Sequence, residues 1–231
     1  MDALAIPVIV NVRDRLTPLK ALVEWLEHAG HERLVLLDNF STYEPLLEYL
    51  RSSPHTVWWT GVNNGARAFW HYGLSSPDAR RVGTDWFVYT DPDCVPIEDC
   101  PLDAVPHLHE LLERYPDVPK AGLGLSLADV SLDMRDYHHE KNLLGPNPPH
   151  WKGQLEPGVY HSWIDTTFAL YRPGSGHGLP SIRTTYPYEC RHLSPSWYPD
   201  LADEESDYYL AHALPGPLYS GWKGAHERSR A

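Results

Sequence analysis

Trp86-Phe87-Val88-Tyr89-Thr90-Asp91-Pro92-Asp93 is an apolar run that ends in two carboxylates one residue apart. The run reads as a buried strand. In an open α/β sheet, the carboxyl end of a strand is where ligands bind. Two hard oxygen donors that close suit Mg2+ or Mn2+, and phosphate oxygens usually complete the shell of such a cation. Pro92 fixes its own φ and restricts Asp91 to extended geometry, so the pair is stiff before any cation arrives. Asp-Pro-Asp is also ordinary turn chemistry, and the tripeptide alone does not choose between the two readings. The segments around it do.

Three strand–helix units precede it. Ile6–Val12 is a short apolar run ending at polar Asn11, Arg13 and Asp14. Thr17 is expected to cap a helix with Pro18 at its first position, with Leu19, Leu22, Val23 and Leu26 at helical spacing and Gly30 as its stop. Leu34–Leu37 is a second buried strand ending at Asp38-Asn39. Ser41 or Thr42 begins another helix through Leu46, Leu47 and Leu50. Thr56–Thr60 is a third strand ending near Asn63-Asn64-Gly65, followed by a short helix through Phe69 and Trp70 and a polar linker over 75–84. Strands alternating with helices predict parallel pairing with right-handed crossovers. Polar residues gather at the carboxyl ends of all four strands and should converge on one crevice. GxGxxG and GxxxxGK[ST] are both absent, which weighs against a dinucleotide-binding Rossmann enzyme and a P-loop NTPase.

The second half reads differently. Leu108, Leu111 and Leu112 mark a helix ending at Tyr115-Pro116, and Ala121–Leu127 is a strand whose glycines allow close backbone approach. Residues 142–161 read as a long loop, of the kind that is functional or disordered in a compact domain. Ser162–Tyr171 reads as an alternating strand, 173–200 as loop, and Glu204–Leu214 as a helix, with no internal repeat and no second hydrophobic core.

The chain has 231 residues, 42% of them hydrophobic, enough for one domain with a substantial core. Its formal net charge of −12 argues against nucleic acid or an anionic membrane surface as main partner. Arg13, Arg15, Arg67, Arg80 and Arg81 still leave room for a local basic pocket that takes a nucleoside diphosphate. The three cysteines have no CxxC spacing, so a disulfide framework and a structural zinc site are not expected, and the setting is expected to be cytoplasmic. The first residues do not read as a signal peptide, and no run reaches the length of an integral membrane segment. Nine Trp and fourteen Tyr against four Phe favour rings that pack apolar surface and keep a polar handle.

The ordered set of strand ends resembles the GT-A glycosyltransferases, in particular small bacterial enzymes of the family-2-like kind. The residues that carry the resemblance are Val8–Arg13, Asp38-Asn39-x-Ser41-Thr42, Asn64-Gly65-x-Arg67 and Asp91-Pro92-Asp93, with Trp163–Phe168 and Arg191-His192-Leu193 matching more loosely. The resemblance implies a GT-A Rossmann-like α/β fold, a central mostly parallel sheet flanked by helices with an irregular, loop-rich acceptor half. It implies a single domain over 1–231, with a nucleotide-sugar-binding half at 1–100 and an acceptor-binding half at 101–231. The implied activity is metal-dependent transfer of a sugar from a nucleotide-sugar donor, UDP-linked, to a hydroxyl of a carbohydrate or other acceptor.

By the same resemblance, Asp91 helps hold the ribose or a cation-bound water and Asp93 coordinates a Mn2+ or Mg2+ that bridges the two phosphates. Val10, Asn11, Arg13, Asp38, Asn64 and Arg67 fall on the nucleotide side. Asp38 reads equally as a turn Asp that caps the next helix, and Arg67 as an exposed helix charge. A third metal ligand is expected late in the chain as a His. His192 is the candidate, with His161 and His226 as alternatives. Inverting transfer needs a general base, and Asp165 is the candidate because a carboxylate among Trp163, Ile164 and Phe168 is costly unless it reaches a pocket or a partner. Desolvation should raise its pKa. Its alternative role is a buried Asp bonded to loop backbone, with Glu189 and Asp203-Glu204-Glu205 as other options for the base. Trp151, Tyr160, Trp163, Tyr188 and Trp197 are candidate acceptor-stacking rings. A sugar-nucleotidyltransferase is the competing enzyme class, but Asn11–Arg15 lacks the glycine its loop needs. A non-catalytic carbohydrate-binding protein is the other alternative.

Overall fold

Four strands, β1 (Val8–Val12), β2 (Leu34–Asp38), β3 (Thr56–Trp59) and β4 (Phe87–Thr90), lie side by side in the order β3-β2-β1-β4, and all are parallel. Parallel neighbours need crossovers. Helices α1 (Leu16–His28), α2 (Glu44–Ser52), α3 (Ala68–Ser75) and α4 (Pro77–Gly83) lie in those connections. Then come β5 (Cys94–Pro96), α5 (Ala104–Arg114), β6 (Lys120–Gly122), β7 (Gly124–Leu125), β8 (Gln154–Glu156), β9 (Val159–His161), β10 (Ala169–Tyr171), β11 (Ser181–Thr184), β12 (Glu189–His192) and α6 (Glu204–His212). The computed structural model describes residues 2–128, 130, 153–178, 180–194, 198, 201 and 203–212.

Among the described residues the large sheet has nine strands and continues β4-β10-β6-β11-β9-β8, with β10 and β9 running against the rest. A smaller sheet, β5-β12-β7, accompanies it. The fold is therefore of the expected α/β class: a central sheet with most strands in one direction, flanked by helices.

Both faces of the sheet are covered, which explains why β1 and β2 are buried at every position. Successive side chains point to opposite faces. Val8, Val10, Val12, Leu34 and Leu36 join leucines of α1, α2 and α5 in one core. Ile9, Val35, Leu37, Phe87 and Tyr89 join Ala68 and Phe69 of α3 and Ala79 of α4 in another. Each fully buried aliphatic side chain contributes roughly 1.5–3 kcal/mol. The second core escapes a reading of the sequence because a strand buried on both sides is one unbroken apolar run.

The structure corrects several local expectations. The polar stretch 75–84 contains α4, which Ser76 caps by accepting from the Ala79 N–H at 3.3 Å. Helix α1 begins at Leu16, so Thr17 is not its N-cap. The strand expected over 121–127 divides at Leu123, and its two parts enter different sheets. A Cβ on Gly124 would lie 2.5 Å from the Thr184 carbonyl oxygen, a closeness only glycine permits. The stretch 173–200, read as loop, contains β11 and β12, and the described end of 142–161 contains β8 and β9.

The strand expected over 162–171 is regular only at Ala169–Tyr171. Two buried cations draw off part of the rest. Lys120 Nζ donates to the carbonyls of Ile164 (2.7 Å) and His177 (2.6 Å). Arg183 donates to the Trp163 carbonyl (3.1 Å) and to Thr167 Oγ1 (3.4 Å). Backbone acceptors must be satisfied, and here side-chain donors replace part of a ladder.

His31, 3% exposed, follows α1 near Leu4, and burial lowers its pKa, opposed by a backbone contact with Leu4. The folded protein then binds fewer protons than the unfolded chain in mild acid, so stability is lost as the pH falls through the ordinary histidine value of about 6.5. The melting temperature should drop more steeply between pH 7.5 and 5.5 in the wild type than in His31→Leu. Parallel curves would remove His31 from the acid response.

Candidate functional site

Asp91 and Asp93 stand where β4 ends. Asn11, at the end of β1, donates from Nδ2 to Asp91 Oδ1 at 3.2 Å. Thr166 donates from Oγ1 to Asp91 Oδ2, and its carbonyl accepts the Asp91 N–H at 2.8 Å. Asp91 is thus clamped from both sides, by β1 and by the loop before β10. Burial, and then the charge of Asp93, push its pKa well above the ordinary carboxylate value. A nearby cation would reverse that shift.

Asp93 is 6% exposed, and its two oxygens face different partners. His192 Nε2 lies 3.8 Å from Oδ1, and Arg15 Nη1 lies 3.7 Å from Oδ2. His192 reaches this point because β12 pairs with β5 and sets it opposite Cys94. The Leu193 N–H closes the contact on the Asp93 carbonyl at 2.6 Å. Ligand atoms of Asp93, Cys94 and His192 all lie within 4.8 Å of one another, so carboxylate, imidazole and sulfur converge. Cys94 is a free thiol, and its hydrogen bonding to Cys190 and its burial both raise its pKa well above normal. Asp93 and His192 are therefore the better donors, and a carboxylate with an imidazole fits a divalent transition ion such as Mn2+.

The other strand ends form the rim. Asp38 is buried and accepts from the Ser41 N–H at 3.2 Å, which is the turn role the sequence allowed. Burial raises its pKa against that bond. Asn39, 2% exposed, accepts from the Asn64 N–H (2.7 Å) and donates to the Gly65 carbonyl (3.0 Å). It ties the loop after β2 to the loop after β3. Val10 packs its side chain into the core, so only its backbone can face a ligand. Arg67 is exposed at the end of the 3-10 turn Gly65–Arg67. Arg13 donates to the His212 carbonyl at 2.8 Å.

Asp165 sits in the loop that holds Asp91, one residue from Thr166. Its side chain is half-exposed, with Oδ1 3.3 Å from His177 Nε2. Bonding to His177 lowers its pKa in spite of burial, so the expected rise is corrected. The reason is that Asp165 lies in a loop beside a histidine and a buried lysine, not within an apolar strand. Trp163 is exposed next to it. Tyr188 is committed to the start of α5, donating to Asp103 at 3.1 Å and stacked on His107 at 3.9 Å. Tyr160 is buried, His161 is exposed, and burial raises the pKa of Glu189. Trp151, Trp197 and His226 lie outside the described residues.

Helix α6 binds across the β1 and β2 ends. Glu205 accepts from Thr17 N–H (2.9 Å) and Oγ1 (3.1 Å), and Tyr208 donates to the Thr42 carbonyl (3.0 Å). Asp14, at φ 47°, accepts from the N–H groups of Thr42 (2.7 Å) and Tyr43 (2.9 Å). The helices that follow β1 and β2 thus take carboxylates from elsewhere at their N-termini. His177 and the placing of Arg15 have no counterpart in the sequence reading. Asn39 and Thr166 appear there only within quoted stretches and Glu205 only as an option for the base, without the contacts they make here.

No protein-family model and no curated protein matches this chain. Among solved structures it is similar to glucosyl-3-phosphoglycerate synthase from Mycobacterium tuberculosis, described in complex with Mn2+, uridine-diphosphate-glucose and phosphoglyceric acid. That likeness has 13% identity and a TM-score of 0.46, and covers 73% of this chain and 56% of the synthase. It is also similar to S. aureus TarS 1-349, at 9% identity and a TM-score of 0.45, covering 98% of this chain and 71% of that one. A mycobacterial protein matches at 12% identity and a TM-score of 0.43, over 78% of this chain and 65% of its own. The chain spans somewhat over half the length of the synthase.

Proposed function

We propose that the protein is a metal-dependent glycosyltransferase of the hexosyltransferase type, moving a sugar from a UDP-linked donor to a hydroxyl acceptor. The observation that supports this most is the meeting of Asp93, at the end of β4, with His192 from β12, beside an Asp91 clamped by Asn11 and Thr166. Bound at Asp93 and His192, a Mn2+ or Mg2+ would offset the charge growing on the departing diphosphate, which lowers the barrier by several kcal/mol.

With donor bound, Asp91 would face the ribose or a cation-bound water, and Asp38, Asn64, Asn11, Arg13 and Arg67 would line the nucleotide side. Asp165 takes the proton of the acceptor hydroxyl, kept ionised and oriented by His177. Trp163 offers an exposed ring beside it for the acceptor. The chain acts as one domain, residues 1–100 binding the donor and 101–231 the acceptor, with His192 crossing back. Three free, buried cysteines support a reducing, cytoplasmic setting. No helix among the described residues is long and apolar enough to cross a membrane.

A thermal-shift series of nucleoside diphosphates with and without Mn2+ tests this reading. A ligand of the folded state raises stability as the logarithm of its concentration over its Kd. UDP with Mn2+ should raise the melting temperature more than either alone, and slow donor hydrolysis should release UDP. Release of pyrophosphate from a nucleoside triphosphate would identify a nucleotidyltransferase instead. No response to any nucleotide would leave a carbohydrate-binding protein.

A further inference from the structure

The Arg15 guanidinium is 5% exposed and does not point to solvent. Nη2 donates to the Leu193 carbonyl at 2.6 Å, beside the candidate cation ligand His192. Nη1 lies 3.7 Å from Asp93 Oδ2, and Nε lies 3.6 Å from Glu205 Oε1. The Tyr209 ring covers the group at 5.5 Å. One buried positive charge is therefore shared between a carboxylate of the cation site and a carboxylate of α6. Glu205 is itself fixed, because both its bonds to Thr17 go to Oε2 and leave Oε1 for Arg15.

We infer that Arg15 is a built-in counter-charge of the cation site, competing with the divalent ion for Asp93, and that Glu205 draws it off. This inference rests on the reading of Asp93 and His192 as cation ligands. A divalent ion held by Asp93 and His192 would carry the same sign of charge as the guanidinium. It would draw on the same carboxylate, with Arg15 on the Oδ2 side and His192 on the Oδ1 side. At buried positions their mutual repulsion is little screened. Arginine stays charged at every working pH, so the competition is permanent. The strength of cation binding is then set by how closely Glu205 holds Arg15, which makes it a property of the seating of α6. Arg15 and Glu205 act through Asp93 and are positioning residues.

Mn2+ binding to the nucleotide-free protein, followed by electron paramagnetic resonance of the free ion, tests this without turnover. Arg15→Gln should tighten the Mn2+ Kd by roughly fivefold or more, because one competing charge is gone. Glu205→Gln keeps acceptors for Thr17 but loses its charge, and should weaken the Kd by roughly threefold or more as Arg15 falls back on Asp93. In the Arg15→Gln background, Glu205→Gln should have no further effect. An unchanged or weaker Kd in Arg15→Gln overturns the inference, as does an undiminished effect of Glu205→Gln in that background, which would mean a direct field of Glu205 on the ion. Wild-type binding that survives Asp93→Asn overturns the cation-site reading itself, and the inference with it. Far-ultraviolet circular dichroism of each variant confirms that a folded protein is being titrated.

Discussion

Asp93→Asn should lose transfer by at least about a hundredfold while the melting temperature moves by less than roughly 3 °C. The two effects separate because the carboxylate does little for the fold. Asp93 faces Arg15 and His192 at 3.7 and 3.8 Å, longer than direct hydrogen bonds, and its charge raises the pKa of Asp91. Asparagine removes that repulsion, and Arg15 keeps the Leu193 carbonyl and Glu205. Mn2+ binding should fall with activity, and excess Mn2+ should restore part of it. Turnover within threefold of the wild type would show that the charge is not what the reaction needs.

Asp165→Asn should cut turnover by about a hundredfold to ten-thousandfold, the range for a lost general base, with Mn2+ and UDP still bound. Asparagine matches the size of the carboxylate and can still bond His177, so the loop should hold. That loop is anchored independently by Lys120 and Arg183. The split between binding and turnover assigns the role. A large rise in acceptor KM with turnover kept would make Asp165 an acceptor-binding group, as a retaining reaction requires.

The parallel half was legible because it depends on local pattern. Buried runs such as Val8–Val12 and Leu34–Asp38 end in polar residues, and their alternation with helices predicts parallel pairing. Asp91 and Asp93 were read correctly as the end of a buried strand. The second half was less legible because its strands are short. Glu189–His192 has two buried-strand neighbours but little apolar sequence of its own. His192 was nominated by resemblance, and its nearness to Asp93 comes from the β5–β12 register, which no local signal records. Thr166 and Glu205 act over long chain separations, through polar contacts that leave no periodic trace. For Asp165 the residue was found but its surroundings were misjudged, because the strand pattern over 162–171 hides two cations that come from β6 and β11.

β10 lies between β4 and β6, and β12 between β5 and β7, so late strands are interleaved with early ones. Recombination between Asp93 and His192 would hand strands of one sheet or of both to a foreign sequence. Chimeras meant to change acceptor choice should therefore exchange the tips between strands and leave the interleaved strands as one inherited set. A donor module and an acceptor module cannot be cut apart here as cassettes, because each half supplies the neighbours that close the other's sheet.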